Sequence, residues 1–459
     1  MSTTVVRGGL VALPELAEPV RADIAIVDGR VAALLDPGAP FAAEREIDAT
    51  GLHVLPGGVD PHVHVAWPFR TSRTLDDHEQ ATRAATLGGT TTFIDFAIEG
   101  REDPLACLAA RRAQAEAGTV CDFSLHMVVS SAEPEILAAL PAVIAAGVTS
   151  FKMYLTYRDR GIYVDDGDLE TILREIGELG GQAIVHAEVG ALEDARVARL
   201  KELGRGEARW FPDSKPPYVE ALAVQRASRL AGLAGCDLGI LHLSSGEGLD
   251  EAIAGRVHGA QPTAVETCPQ YLFLDDGLLT GEDGHRYLCS PPIRTPADNE
   301  RLWQGIADGD ITMLGTDHCL FTTGQKDELR DVFWQCPHGH PGIETRLRLV
   351  LHHGLQRGIP LTRLAAALSA NAARFYGLYP RKGTLLPGSD ADLALWDLGA
   401  SGVLRTGDLH MGADWTPFEG IEALAGPQTV LVRGEAVVEG GASTAVAGSG
   451  RFLAREPRR

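Results

Sequence analysis

Short apolar runs alternate with longer amphipathic stretches through most of the chain. The apolar runs read as strands ending near His64, Ala97, Val129, Leu155, Ala187, Leu243, Phe273 and Asp317. Helical periodicity falls between them, over residues 81–87, 104–117, 134–146, 168–179, 218–233 and 249–257. Several of these stretches begin near Pro, Asp or Thr and stop at Gly88, Gly118, Gly147 or Gly180, as helix capping prefers. Strands that alternate with helices run parallel. Eight such units predict a (β/α)8 TIM barrel in an α/β protein. The competing architecture, a doubly wound open sheet, would carry Gly-x-Gly-x-x-Gly after its first strand, and that signature is missing.

The two ends of the chain have another texture. Residues 5–11, 22–27 and 30–34 read as short strands, the last two joined by the hairpin dipeptide Asp28-Gly29. Strand-like runs return at 391–396 and 429–438, around Gly-containing turns. Chain termini often lie close together, so both ends are expected to build one small β-sandwich domain. The expected boundaries are 1–54 for its N-terminal part, 55–380 for the barrel, 381–445 for its C-terminal part and 446–459 for a tail.

Composition narrows the function. A length of 459 residues suits a large barrel with an accessory domain. The net charge of −21 disfavours nucleic acid or an anionic membrane as partner. There is no apolar run of about 18 residues to span a bilayer. Met1-Ser2-Thr3-Thr4 has no basic region followed by an apolar one, so no signal peptide is expected. The seven cysteines are scattered, with no Cys-x-x-Cys pair, which predicts reduced thiols in the cytoplasm.

A barrel carries its chemistry at the C-terminal ends of its strands. The first expected strand ends in His62-Val63-His64. On an extended backbone residues i and i+2 point the same way, so both imidazoles can reach one point while Val63 packs behind them. Other expected strand ends carry Lys152, His186, His242 and Asp317. Each has an ordinary reading: Asp317 as a helix cap, His186 or His242 as a hydrogen-bonded core histidine. All of those readings would have to hold together at one level of one barrel, so a metal site explains the set better. Lys152 lies within the apolar run Ser150-Phe151-Lys152-Met153-Tyr154. A lysine is almost never buried unpaired, and its ammonium would repel cations. N-carboxylation answers both objections, because a carbamate is an anion whose two oxygens can bridge two metals. The alternative is an ammonium that reaches a carboxylate at the barrel mouth.

These motifs have a family resemblance. Pro-Gly-Gly-Val-Asp-Pro-His-Val-His (56–64), Gly-Gly-Thr-Thr (88–91), Phe-Lys-Met-Tyr (151–154), His-Ala-Glu (186–188) and His-Leu-Ser-Ser (242–245) are similar to those of the amidohydrolase superfamily. So are Ser-Pro-Pro-Ile-Arg (290–294), Thr-Asp-His-Cys (316–319) and Pro-Gly-Ile-Glu (341–344). Within that superfamily the chain resembles the cyclic amidohydrolases, dihydropyrimidinase and D-hydantoinase, along nearly its whole length. The resemblance implies a hydrolase that opens a neutral cyclic ureide or imide to an N-carbamoyl amino acid. It implies one divalent metal on His62, His64, carboxylated Lys152 and Asp317, and a second on Lys152, His186 and His242. Zinc is the expected ion and manganese the alternative. A hydroxide bridging the metals would attack the carbonyl, and Asp317 would carry its proton to the leaving nitrogen. Tyr157 would stabilise the oxyanion, and the Ser290 main chain would grip the cyclic amide. Trp67, Phe69 and His338 would complete the substrate site, His338 standing where an asparagine is common. A homotetramer is implied too, with the basic tail 451–459 as an arm that reaches a neighbouring subunit. A disordered tail is the alternative.

Relatives mark the competing functions. Dihydroorotase carries an arginine two residues after the His-x-His to bind a carboxylate, where this chain has Ala66. Allantoinase tends to have an asparagine there, followed by Glu-Pro-Gly, unlike Ala66-Trp67-Pro68-Phe69. Arg70 or Arg73 could supply the missing cation. Collapsin response mediator proteins keep the fold, lose the ligands and act as scaffolds. Here all six ligand positions and Tyr157 are intact.

Overall fold

A computed structural model describes residues 2–69, 72–97, 103–257 and 263–458. Eight parallel strands form one sheet in sequential order: Gly58–Asp60, Thr90–Ala97, Asp122–Val128, Ser150–Tyr154, Gln182–His186, Asp237–Ile240, Ala264–Thr267 and Met313–Leu314. Nearly all of their residues are buried, as a parallel sheet covered on both faces requires. The last strand returns to the first just beyond their C-terminal ends. There Val63 bridges to His318, and the His64 N–H donates to the His318 carbonyl at 2.8 Å. The barrel therefore closes at the level where the candidate site residues lie.

The helices between the strands start and stop as their caps dictate. Asp77 accepts from the Gln80 N–H at the start of His78–Leu87, and Asp165 caps Asp166–Glu178. Gly147 and Gly180 follow helix ends with φ of +90° and +71°. Gly88 stops its helix for another reason. Its φ is −87°, but a Cβ there would stand 2.4 Å from the Glu344 carbonyl oxygen.

Four strands stop short of expectation. The first, sixth and eighth end at Asp60, Ile240 and Leu314, so His62, His64, His242 and Asp317 lie just past the ladder. The seventh falls furthest short. The seventh ends at Thr267, not near Phe273, and Gln270–Phe273 is a helical turn. Pro269 lacks a ladder N–H and sits at φ −53°, ψ −36°, so the extended run cannot pass through it.

Two further sheets pack together beside the barrel. Thr3–Arg7, Asp23–Val27, Arg30–Leu35 and Arg45–Asp48 form one. The other is seven-stranded and takes strands from both chain ends. His53–Pro56 lies between Leu10–Val11 and Leu393–Trp396, and Thr429–Val432 follows. Val6, Ile24 and Val31 of the first sheet share a core with Val54, Leu393 and Leu431 of the second. The expected strand over 5–11 is broken at Gly8, whose φ is +74°.

The tail docks on its own barrel. Residues 451–458 cross the N-terminal ends of strands three to six, with Leu453 fully buried. The Leu453 N–H donates to the Phe123 carbonyl, the Arg455 guanidinium to Ser150 Oγ, and Arg458 pairs with Asp237. Leu453 prefers the apolar floor of the barrel, where it joins Tyr376 and Leu378.

Candidate active site

The strand ends converge on a cavity of about 90 Å³. His62 Nε2, His64 Nε2 and Asp317 Oδ1 form a triangle with every side 3.2 Å. His186 and His242 stand beside it, their ring centres 4.4 Å apart, and the His242 ring is 5.4 Å from that of His62. All five side chains are buried or nearly so. Lys152 lines the same cavity. The structure thus brings together all six residues expected to bind metal.

The donor atoms suit cations. His62 Nδ1 is 2.8 Å from Glu266 Oε1, and His186 Nε2 is 2.6 Å from Glu188 Oε2. A carboxylate on one ring nitrogen fixes the tautomer and leaves the other nitrogen free to coordinate. His242 Nδ1 and His64 Nδ1 are buried without a hydrogen-bond partner among the described residues. Burial pushes His186 down to about 4 against the pull of Glu188, so its imidazole is neutral. Burial works against the charge on Asp317, but His62, His64 and Lys152 outweigh it and hold the carboxyl below its usual range.

Lys152 is 1% exposed, with its Nζ 4.7 Å from the Tyr154 ring centre and 5.9 Å from that of Phe96. Burial pushes its pKa down to about 7, and Asp317 and Glu266 offset this only through space. The neutral amine is the form that reacts with carbon dioxide, so the environment fits carboxylation.

The remaining expected residues are placed as follows. Tyr157, Ser290, Trp67 and His338 line the cavity. Burial raises the Tyr157 phenol, against Lys215, Arg160 and a hydrogen bond to Ser290, so it stays a proton donor. Trp67 meets the His64 ring edge-on at 4.5 Å. His338 is occupied on both nitrogens: Nε2 donates to the Phe333 carbonyl and Nδ1 accepts from Ser290 Oγ at 2.9 Å. Its side chain braces Ser290. The Phe69 backbone pairs with Ser72, but its side chain and all of Arg70 lie outside the described residues. Arg73 is exposed.

Three contributors were missed in the sequence. Glu266 sits in strand seven, a carboxylate in an apolar run, which was a readable signal. Glu188 closes the His-Ala-Glu motif, and only its contact with His186 gives it a role. Arg160 lines the cavity and lies 4.2 Å from the Tyr157 ring centre; nothing in the spacing marks it.

Comparison with known proteins agrees with this geometry. The amidohydrolase family profile matches residues 286–437. A D-hydantoinase of Streptomyces coelicolor is 40% identical, covering 99% of this chain and 98% of that protein. A D-phenylhydantoinase of Escherichia coli K12 is 39% identical over 95% of each. The crystal structure of a dihydropyrimidinase from Brevibacillus agri superposes with a TM-score of 0.96 at 33% identity, covering 100% of this chain and 99% of that one.

Proposed function

We infer the function from one premise: the chain belongs to the amidohydrolase family and, within it, to the group of D-hydantoinases and dihydropyrimidinases. It is a cyclic amidohydrolase. Its substrate, on our reading, is a neutral five- or six-membered cyclic ureide or imide, a 5-substituted hydantoin or a dihydropyrimidine. The ring C–N bond is cleaved to give the N-carbamoyl amino acid. The observation that carries this is the His62–His64–Asp317 triangle beside His186, His242 and Lys152 in one cavity.

Two divalent metals would be held there, one by His62, His64, Lys152 and Asp317, the other by Lys152, His186 and His242. Zinc is favoured by the imidazole and carboxylate donors. Lys152 would serve as its carbamate, which the near-neutral pKa of the buried amine supports. When bound, the cations acidify water and polarise the carbonyl, so that hydrolysis runs at neutral pH. Asp317 takes the proton of the attacking water on its carboxylate and delivers it to the leaving ring nitrogen. The Tyr157 hydroxyl donates to the carbonyl oxygen as charge develops there. Ser290, braced by His338, reads the amide through its main chain. Trp67 and Ile162 wall the cavity for the ring substituent.

The preference for a neutral ring rests on position 66. A carboxylate buried without a partner costs several kcal/mol. Ala66 offers it no cation beside His62 and His64, and the Arg160 guanidinium is stacked on the Tyr157 ring. The free cysteines support a reducing, cytoplasmic setting. A homotetramer is proposed from the family resemblance alone.

The test measures kcat/KM for dihydrouracil and 5-substituted hydantoins beside dihydroorotate. A neutral ring should be preferred. Chelation should abolish turnover, and zinc or manganese with bicarbonate should restore it. A clear preference for dihydroorotate would overturn the neutral-substrate reading and make Arg160 the carboxylate partner. Full activity in metal-free protein would overturn the site itself.

A further inference from the structure

An ionic cluster next to the cavity is centred on Lys215, a side chain with no part in the chemistry above. Lys215 is 1% exposed. Its Nζ lies 2.7 Å from Glu188 Oε2 and 3.1 Å from Glu193 Oε1. Each carboxylate has a second partner towards the active site. Glu188 Oε2 takes His186 Nε2 at 2.6 Å. Glu193 Oε2 accepts from the hydroxyl of Thr156, the residue before Tyr157. The ammonium itself is 5.3 Å from the Tyr157 ring centre. The Lys215 main chain is tied down too, its carbonyl accepting from Arg294, which also donates to Ser244 Oγ.

Two features make this more than a stable ion cluster. Tyr157 has a φ of +61°, a left-handed conformation that a side chain with Cβ rarely adopts. It persists only if neighbouring residues are held in place, and Thr156 is held by Glu193. His186 must keep one tautomer to leave Nδ1 for a metal, and Glu188 sets that tautomer. One lysine anchors both carboxylates.

We propose that Lys215 is a positioning residue that couples the His186 ligand, through Glu188, to the oxyanion donor Tyr157, through Glu193 and Thr156. This rests on the roles proposed above for His186 and Tyr157. Removing the ammonium leaves the buried Glu188 and the half-buried Glu193 without their shared partner. Glu188 then relaxes away from His186, and Glu193 no longer holds Thr156.

The test uses the metal-loaded enzyme, with metal content measured beside kcat and KM. Lys215→Met should lose about 10–100-fold in metal affinity and in kcat, as outer partners of a metal site do. Lys215→Arg, which keeps the charge, should recover most of both. Thr156→Val removes one hydroxyl and should lower kcat at unchanged metal content and KM. In a Tyr157→Phe background it should cost little further, since the residue it positions is already disabled. Retained metal affinity and kcat in Lys215→Met would overturn the proposal. So would a Thr156→Val loss that multiplies fully with Tyr157→Phe. Should Lys215→Met fail to fold, the Thr156–Tyr157 cycle decides alone. Full kcat in Tyr157→Phe would instead defeat the underlying reading of Tyr157, a result distinct from an additive cycle.

Discussion

Two buried lysines, one at each end of the barrel, are treated in opposite ways. At the N-terminal end Lys382 reaches Asp122, Asp392 and Asp390 at 2.6, 2.7 and 3.1 Å, and Arg433 joins Asp122 as well. The tail closes over this end and pairs its own cations. At the C-terminal end Lys152 is equally buried, but Asp317 and Glu266 act on it only through space. Backbone strain divides in the same way. Ala66, Tyr157, His242 and Asp317 have φ of +45°, +61°, +37° and +50°, and all four lie at the mouth. The two other such non-glycine residues among those described, Asp28 and Arg433, sit in hairpin turns. One end is built for stability. The other keeps strain and under-compensated charge where ligands and substrate can use them.

Three substitutions test that division. The largest effect belongs at the mouth. Asp317→Asn removes the proton carrier and a metal-binding oxygen, so kcat should fall by about 10²–10⁴-fold. Its melting temperature should hold, because asparagine tolerates a positive φ well. A variant that unfolds instead would mean that Asp317 is a structural cap.

Next comes the floor. Lys382→Met removes the cation shared by three buried carboxylates. Of these Asp122 keeps Arg433, Asp390 keeps Arg381 and Asp392 keeps no cation among the described residues. The substitution should destabilise the fold by about 3–5 kcal/mol. Urea denaturation measures this, and kcat per folded molecule should not change. Lost activity at unchanged stability would erase the contrast between the ends.

The smallest effect lies at the rim of the floor. Arg458 and Asp237 pair at 2.8 Å with side chains 38% and 29% exposed. Water screens such a pair, so Arg458→Ala should cost less than about 1 kcal/mol, and less again in high salt. A larger loss in the urea midpoint would show that the tail is a keystone of the barrel.

The sequence by itself determined whatever depends on neighbours along the chain. Residues two apart on an extended backbone share a side, so His62 and His64 were legible as a pair. Caps, glycine stops and the Asp28-Gly29 turn act within a few residues, and most helix limits followed from them. Pro269 was legible too, but apolar character around it masked the break in strand seven. What only the tertiary structure decided is which polar group meets which. Glu266 meets His62 across 204 residues, and Thr156 meets Glu193 across 37. Val63 finds His318 only when the barrel closes. Hydrophobic periodicity tells a side chain to face inwards, but it is indifferent to the partner waiting there. That partner is set by strand register and by the closure of eight strands, a property of the whole chain that no local stretch encodes.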